Sequence, residues 1–135
     1  MTPEKILLWL RRAVLVLAAL GLSYLVWRAD ILNLPQAGCS PLHGFAPGDR
    51  VLVDLQPGGV ELGAAVMFEG RDGELLLGRV SEAPLELDPD LRAQLDAGAL
   101  WILTERDDCP GQDSDDLGPI AAERVVARLI MVIGW

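Results

Sequence analysis

Few side chains in this sequence could carry acid–base or nucleophilic chemistry. There is one histidine, His43, one lysine, Lys5, and two cysteines, Cys39 and Cys109, against twenty Asp and Glu. Lysine- and histidine-dependent catalysis is thereby confined to two positions, and two cysteines with one histidine fall short of a four-ligand zinc site. Residues 105–116 form an acidic loop, but Pro110 and Gly111 split it and no EF-hand spacing is present. A solvated loop is expected there, with neither metal nor cofactor.

The elements that must hold these residues start with an anchor. Residues 13–27 (AVLVLAALGLSYLVW) are uncharged and give about 22 Å of helix, short of the roughly 30 Å hydrocarbon core. Residues 6–10 (ILLWL) extend the run if Arg11 and Arg12 snorkel toward headgroups, and Trp9, Tyr24 and Trp27 are of the types that settle at the two interfaces. The reading is one transmembrane helix over residues 6–27, contacting the lipid bilayer from Ile6 to Trp27. Lys5, Arg11 and Arg12 lie at or near its N-terminal end, and only Arg28, offset by Asp30, follows. The positive-inside rule then puts the N-terminus in the cytoplasm and the rest in the periplasm or outside the cell, at the inner (plasma) membrane. A cleaved signal peptide shares this charge order, and Ala37-Gly38-Cys39 resembles a lipoprotein signal, although Gln36 stands where Leu is expected. A buried core helix is the remaining alternative.

The sequence therefore divides into an anchor segment, residues 1–28, and a domain, residues 29–135. From Arg28 onward eight arginines face nineteen acids, a net charge of −11, which repels phosphate backbones and anionic headgroups and excludes nucleic-acid binding. Residues 33–48 are loop-like, with three Pro and three Gly. Residues 50–55 (RVLVDL), 64–68 (AAVMF) and 74–80 (ELLLGRV) read as strands separated by turn clusters, Pro57-Gly58-Gly59 and Gly70-Arg71-Asp72-Gly73, predicting a β-meander. Asp88 as N-cap, Pro89, and Leu87, Leu91 and Leu95 spaced by four predict a short helix over 89–97; residues 100–104 and 125–133 are two further strands. The fold expected is mostly β with one small helix, behind a single N-terminal transmembrane helix.

Residues 40–53 read S-P-L-H-G-F-A-P-G-D-R-V-L-V. This resembles the nucleophile segment of type I (leader) signal peptidases, where a serine is followed eight residues later by Gly-Asp and an apolar strand. Here these are Ser40, Gly48 and Asp49. Three more blocks follow in order. Gly63-Ala64-Ala65-Val66-Met67-Phe68 is similar to the family's Gly-Asp-Val-Val-x-Phe strand, Leu77-Gly78-Arg79-Val80 to the strand carrying Lys-Arg-Val, and residues 113–120 (DSDDLGPI) to its Asp-Ser-Arg-x-x-Gly-Pro-Val segment. The resemblance covers about residues 36–135 and implies a signal-peptidase-like β-domain.

The family's serine attacks the scissile carbonyl while a buried, neutral lysine takes its proton. The resemblance puts Ser40 at the nucleophile, but Gly78 at the lysine and Gly111 at the serine that orients it. Glu105-Arg106-Asp107 stands for the family's Gly-Asp-Asn. Matching Pro41 to the family's proline instead moves the nucleophile position to Gly38. His43, three residues from Ser40, has the ordinary account of a loop histidine facing water, and Asp49 is expected to bond turn amides. The family fold brings the loops of Cys39 and Cys109 together, so the resemblance implies a disulfide between them; two unpaired thiols are the alternative.

Two functions follow. The first is a catalytically degenerate signal-peptidase relative acting as a structural or partner-binding subunit of a membrane complex. The second is an active membrane serine endopeptidase that processes exported proteins with Ser40 as nucleophile and an unidentified base. An unrelated anchored β-domain is a third reading.

Overall fold

In a computed structural model that describes residues 1–35, 38–109 and 111–134, the N-terminal apolar run is a helix, α1, over Pro3–Arg28. Gln36 and Ala37 of the lipoprotein-like stretch, Pro110 of the acidic loop and Trp135 lie outside those residues. At 26 residues the helix is about 39 Å long, enough to cross a bilayer. None of its residues is buried, so the buried-core-helix alternative is overturned: its apolar side chains have no protein cover.

No linker follows. The backbone passes directly into β1, Ala29–Asn33, a short mixed run that no local pattern marks as a strand. The other strands are β2 (Arg50–Asp54), β3 (Ala65–Glu69), β4 (Leu75–Ser81), β5 (Trp101–Leu103) and β6 (Val125–Val132). All pairings are antiparallel, in the order β1-β2-β6-β3-β4-β5. The predicted meander is thus corrected. β2 and β3 do not pair; the ten residues between them form no tight hairpin, and the long apolar β6 fills the space. Its register shifts against β2 between Leu52 and Val53, and against β3 between Met67 and Phe68. Such bulges bend a strand and increase its twist.

β3 is buried on both faces, which suits its continuous apolar run. Ala65 belongs to one cluster with Leu34, Leu42, Val51, Val53, Ala127 and Leu129. Val66 and Phe68 belong to another with Val80, Ile102, Ile120 and Val125. Leu34, Leu42 and Phe45, from the Pro/Gly-rich segment, cover the first cluster. A short helix, α2 (Pro89–Asp96), is capped by Asp88, whose side chain accepts from the Asp90 N–H at 2.9 Å. A second one, α3 (Ser114–Leu117), lies inside the acidic loop. That part of the loop was expected to be solvated, yet Asp113 and Ser114 are buried, because Asp113 caps α3 in a reciprocal capping box with Asp116.

At the junction of helix and sheet, Arg28 donates to Asp54 through Nε (3.1 Å) and Nη2 (3.1 Å), and through Nη1 to the Tyr24 hydroxyl at 2.8 Å. Leu55 N–H donates to the Arg28 carbonyl at 2.7 Å. The ionic partner of Arg28 is Asp54, while Asp30 accepts from the Ile31 N–H. Arg128 approaches the same carboxylate at 3.6 Å. The Arg28 hydrogen bonds hold the Asp54 carboxyl below its ordinary range, against the opposing effect of burial, and the Gln56 N–H and the Arg28 and Arg128 charges lower it further.

A depressed carboxylate contributes stability above its unfolded pKa and loses it as pH falls through the folded value. Denaturation midpoints of the full chain in detergent should therefore fall more steeply on acidification from pH 7 to pH 3 than those of Asp54→Asn. Parallel profiles would remove Asp54 as a source of acid sensitivity.

Candidate functional site

The segment carrying Ser40 is held by its own turns. Gly48, at φ 83°, takes the left-handed conformation that favours glycine. Its N–H donates to the Pro35 carbonyl at 3.2 Å, and Asp49 Oδ2 accepts from the Ala46 N–H at 2.7 Å. Asp49 thus bonds a turn amide as expected. Ser40 is 4% exposed. Its hydroxyl donates to the Leu42 carbonyl at 3.3 Å and lies 3.4 Å from the Leu42 N–H. Both bonds turn the hydroxyl onto its own segment. His43 is exposed, and its backbone N–H, not its ring, donates to Glu105 Oε1 at 3.3 Å.

The 39–42 segment is tied to the 104–114 segment at two points. Cys39 and Cys109 form a disulfide, 5.7 Å between Cα atoms, which excludes two unpaired thiols. Glu105 N–H donates to the Pro41 carbonyl at 2.8 Å. A Cβ at Gly111 would lie in ordinary contact with Thr104 Cγ2 (3.6 Å) and Pro41 Cβ (3.9 Å). The Gly111 position is therefore brought against the residue next to Ser40, with room for a small side chain.

Gly78 differs. A Cβ built there would stand 2.3 Å from Ile102 Cγ2, 3.3 Å from the Leu103 carbonyl and 3.4 Å from Phe68 Cε1. Ile102 and Phe68 are wholly buried in the second cluster, and β-branching makes Ile102 stiff. Any side chain at position 78 displaces packed core. Its neighbour Leu77 packs against the first cluster and lines a groove of about 410 Å³ with Ser40, Met67, Leu32 and Leu75. Gly78 is not among the residues lining that groove.

Polar contacts behind the two loops were not legible in the sequence. Arg79 Nε donates to Glu105 Oε1 at 2.9 Å, and its Nη1 to the Gly63 carbonyl at 2.8 Å. Asp113 Oδ2 accepts from both the N–H and the hydroxyl of Thr104 at 3.0 Å, and Ser114 Oγ accepts from the Ile102 N–H at 2.8 Å. This Asp-Ser pair stitches α3 to β5, and the only signal of it was its place in the residue 113–120 block. Among the described residues no group of three or more His, Cys, Asp or Glu is arranged to hold a metal ion. Comparison with protein-family models, with curated proteins and with solved structures found no match to this chain.

Gly78→Ala should cost about 1–3 kcal/mol by overpacking. In an Ile102→Leu background, which removes the Cγ2 branch, the cost should shrink; a double-mutant cycle by chemical denaturation measures this coupling, and additive costs would contradict the packing account. The disulfide closes a separation of 70 residues. Replacing both cysteines by serine should cost about 4 kcal/mol on the chain-entropy model, read from the same denaturation curves.

Proposed function

We propose that this chain is a membrane-anchored relative of type I signal peptidases that lacks the catalytic amine and acts as a structural or partner-binding subunit of a membrane complex. The observation that carries the reading is the closure at Gly78. Where the resemblance calls for a lysine, the first carbon of any side chain meets Ile102 at 2.3 Å. The sole lysine of the sequence is Lys5, near the start of α1. An alcohol is a weak nucleophile without an adjacent base, and the Ser40 hydroxyl is engaged with Leu42.

Other features support the kinship. Three of the four sequence blocks contribute strands, β2, β3 and β4, to an antiparallel sheet behind a helix long and apolar enough to cross a membrane, and the fourth, residues 113–120, carries α3. The Ser40 and Gly111 segments adjoin, as the resemblance calls for. A disulfide suits an oxidising compartment, in keeping with a cytoplasmic N-terminus and a domain in the periplasm or outside the cell. The apolar groove beside Ser40 has the character of a seat for an extended segment of a partner chain.

Purified full-length protein in detergent, incubated with a preprotein bearing an Ala-x-Ala cleavage site, should release no mature product. Cleavage that disappears in Ser40→Ala would overturn the reading and establish a serine endopeptidase.

A further inference from the structure

A second apolar surface lies apart from the Ser40 groove. Val60, Leu62, Val80, Leu85, Leu95, Leu100 and Trp101 line, with Glu82 and Arg92, a cleft of about 420 Å³ beside α2. Two of its leucines stand in the open: Leu85 is 97% exposed and Leu62 64%. Leu85 is held in place, because Arg92 Nη2 donates to the Pro84 carbonyl at 2.6 Å and to the Leu85 carbonyl at 3.4 Å. Those bonds strap the loop before α2 to the helix and present the leucine outward.

The rim is acidic. Glu82 lines the cleft, and the exposed Glu61, Glu86 and Asp96 adjoin Leu62, Leu85 and Leu95 in the chain. Arg92 is the cation of the lining, and its guanidinium is directed at the two carbonyls. The domain as a whole is strongly acidic, and an exposed apolar patch on such a surface selects its ligand by shape and by charge.

We propose that this cleft docks a basic, apolar segment of another polypeptide, seating an aliphatic or aromatic side chain against Leu62 and Leu85 while flanking Lys or Arg residues meet the carboxylates. A second copy of the domain fits poorly, since from Arg28 onward it carries eight arginines against nineteen acids and would set like charge against like. The inference rests on the partner-binding part of the proposed function and is read independently of cleavage. A peptidase activity would refute the loss of catalysis, whereas the assay below addresses only this cleft.

The full chain in neutral detergent is titrated into a fluorescein-labelled 15-residue peptide in which Leu and Phe are interspersed with Lys and Arg, followed by anisotropy. Saturable one-to-one binding is expected, weakening as salt is raised. Leu85→Ser and Leu62→Ser, both surface changes, should each weaken it about tenfold or more, and Glu82→Gln should reduce the salt dependence. Asp72→Asn, in the turn at the opposite end of the β3–β4 hairpin from Leu62 and Glu82, should leave it unchanged. No saturable binding, or equal affinity in Leu85→Ser and the unaltered protein, would overturn the proposal. So would sedimentation showing a dimer that Leu85→Ser dissolves, which would assign the cleft to a second copy.

Discussion

The domain is held together through one strand. β6 lies between the β1-β2 pair and the β3-β4-β5 group, and no other strand pairs with both. Its alternation must serve two different surfaces. The register shifts resolve the conflict: Val125 faces the second cluster, while past the shift Ala127 and Leu129 face the first. A strictly regular strand would have turned one of these sets away from its core. The loop of Ser40 and the helix α3 are then the two covers, one on each cluster.

The covers meet at the candidate site. The disulfide and the Glu105–Pro41 backbone bond join the segment over the first cluster to the segment behind the second. Ionic and polar links reinforce this seam: Glu105 binds both Arg79 and the His43 amide, and Asp113 binds Thr104. The site is therefore a junction of loops on a rigid sheet, the usual location for recognition and catalysis. What it holds is a hydroxyl folded onto its own turn.

Strong local patterns in the sequence were readable. The apolar run predicted α1 with its N-terminal end three residues late, because Pro3 sets the start as a first-turn proline and Glu4 favours the helix N-terminus. The strand runs and the Asp88-Pro89 helix start came within a residue or two of β2 to β6 and α2. What depended on partners distant in sequence was not readable. β1 exists as a strand through pairing with β2, and strand order is decided by which apolar strand wins the centre of the sheet. The Cys39–Cys109 pairing was reached through a resemblance, since spacing alone leaves two thiols open. The filling of position 78 by Ile102 could not be seen at all, because nothing in residues 100–104 says which atoms of a neighbouring strand they will press upon.

The passage from α1 to β1 without a linker has mechanical meaning. A helix that tilts to match the thickness of its bilayer ordinarily spends that tilt in a flexible joint. Here Arg28 is bonded through its side chain to Asp54 of β2 and through its carbonyl to the Leu55 N–H just after it, so the end of the helix is fastened to the edge of the sheet. In a bilayer, any tilt of that helix would be passed on to the sheet instead of being absorbed at a joint.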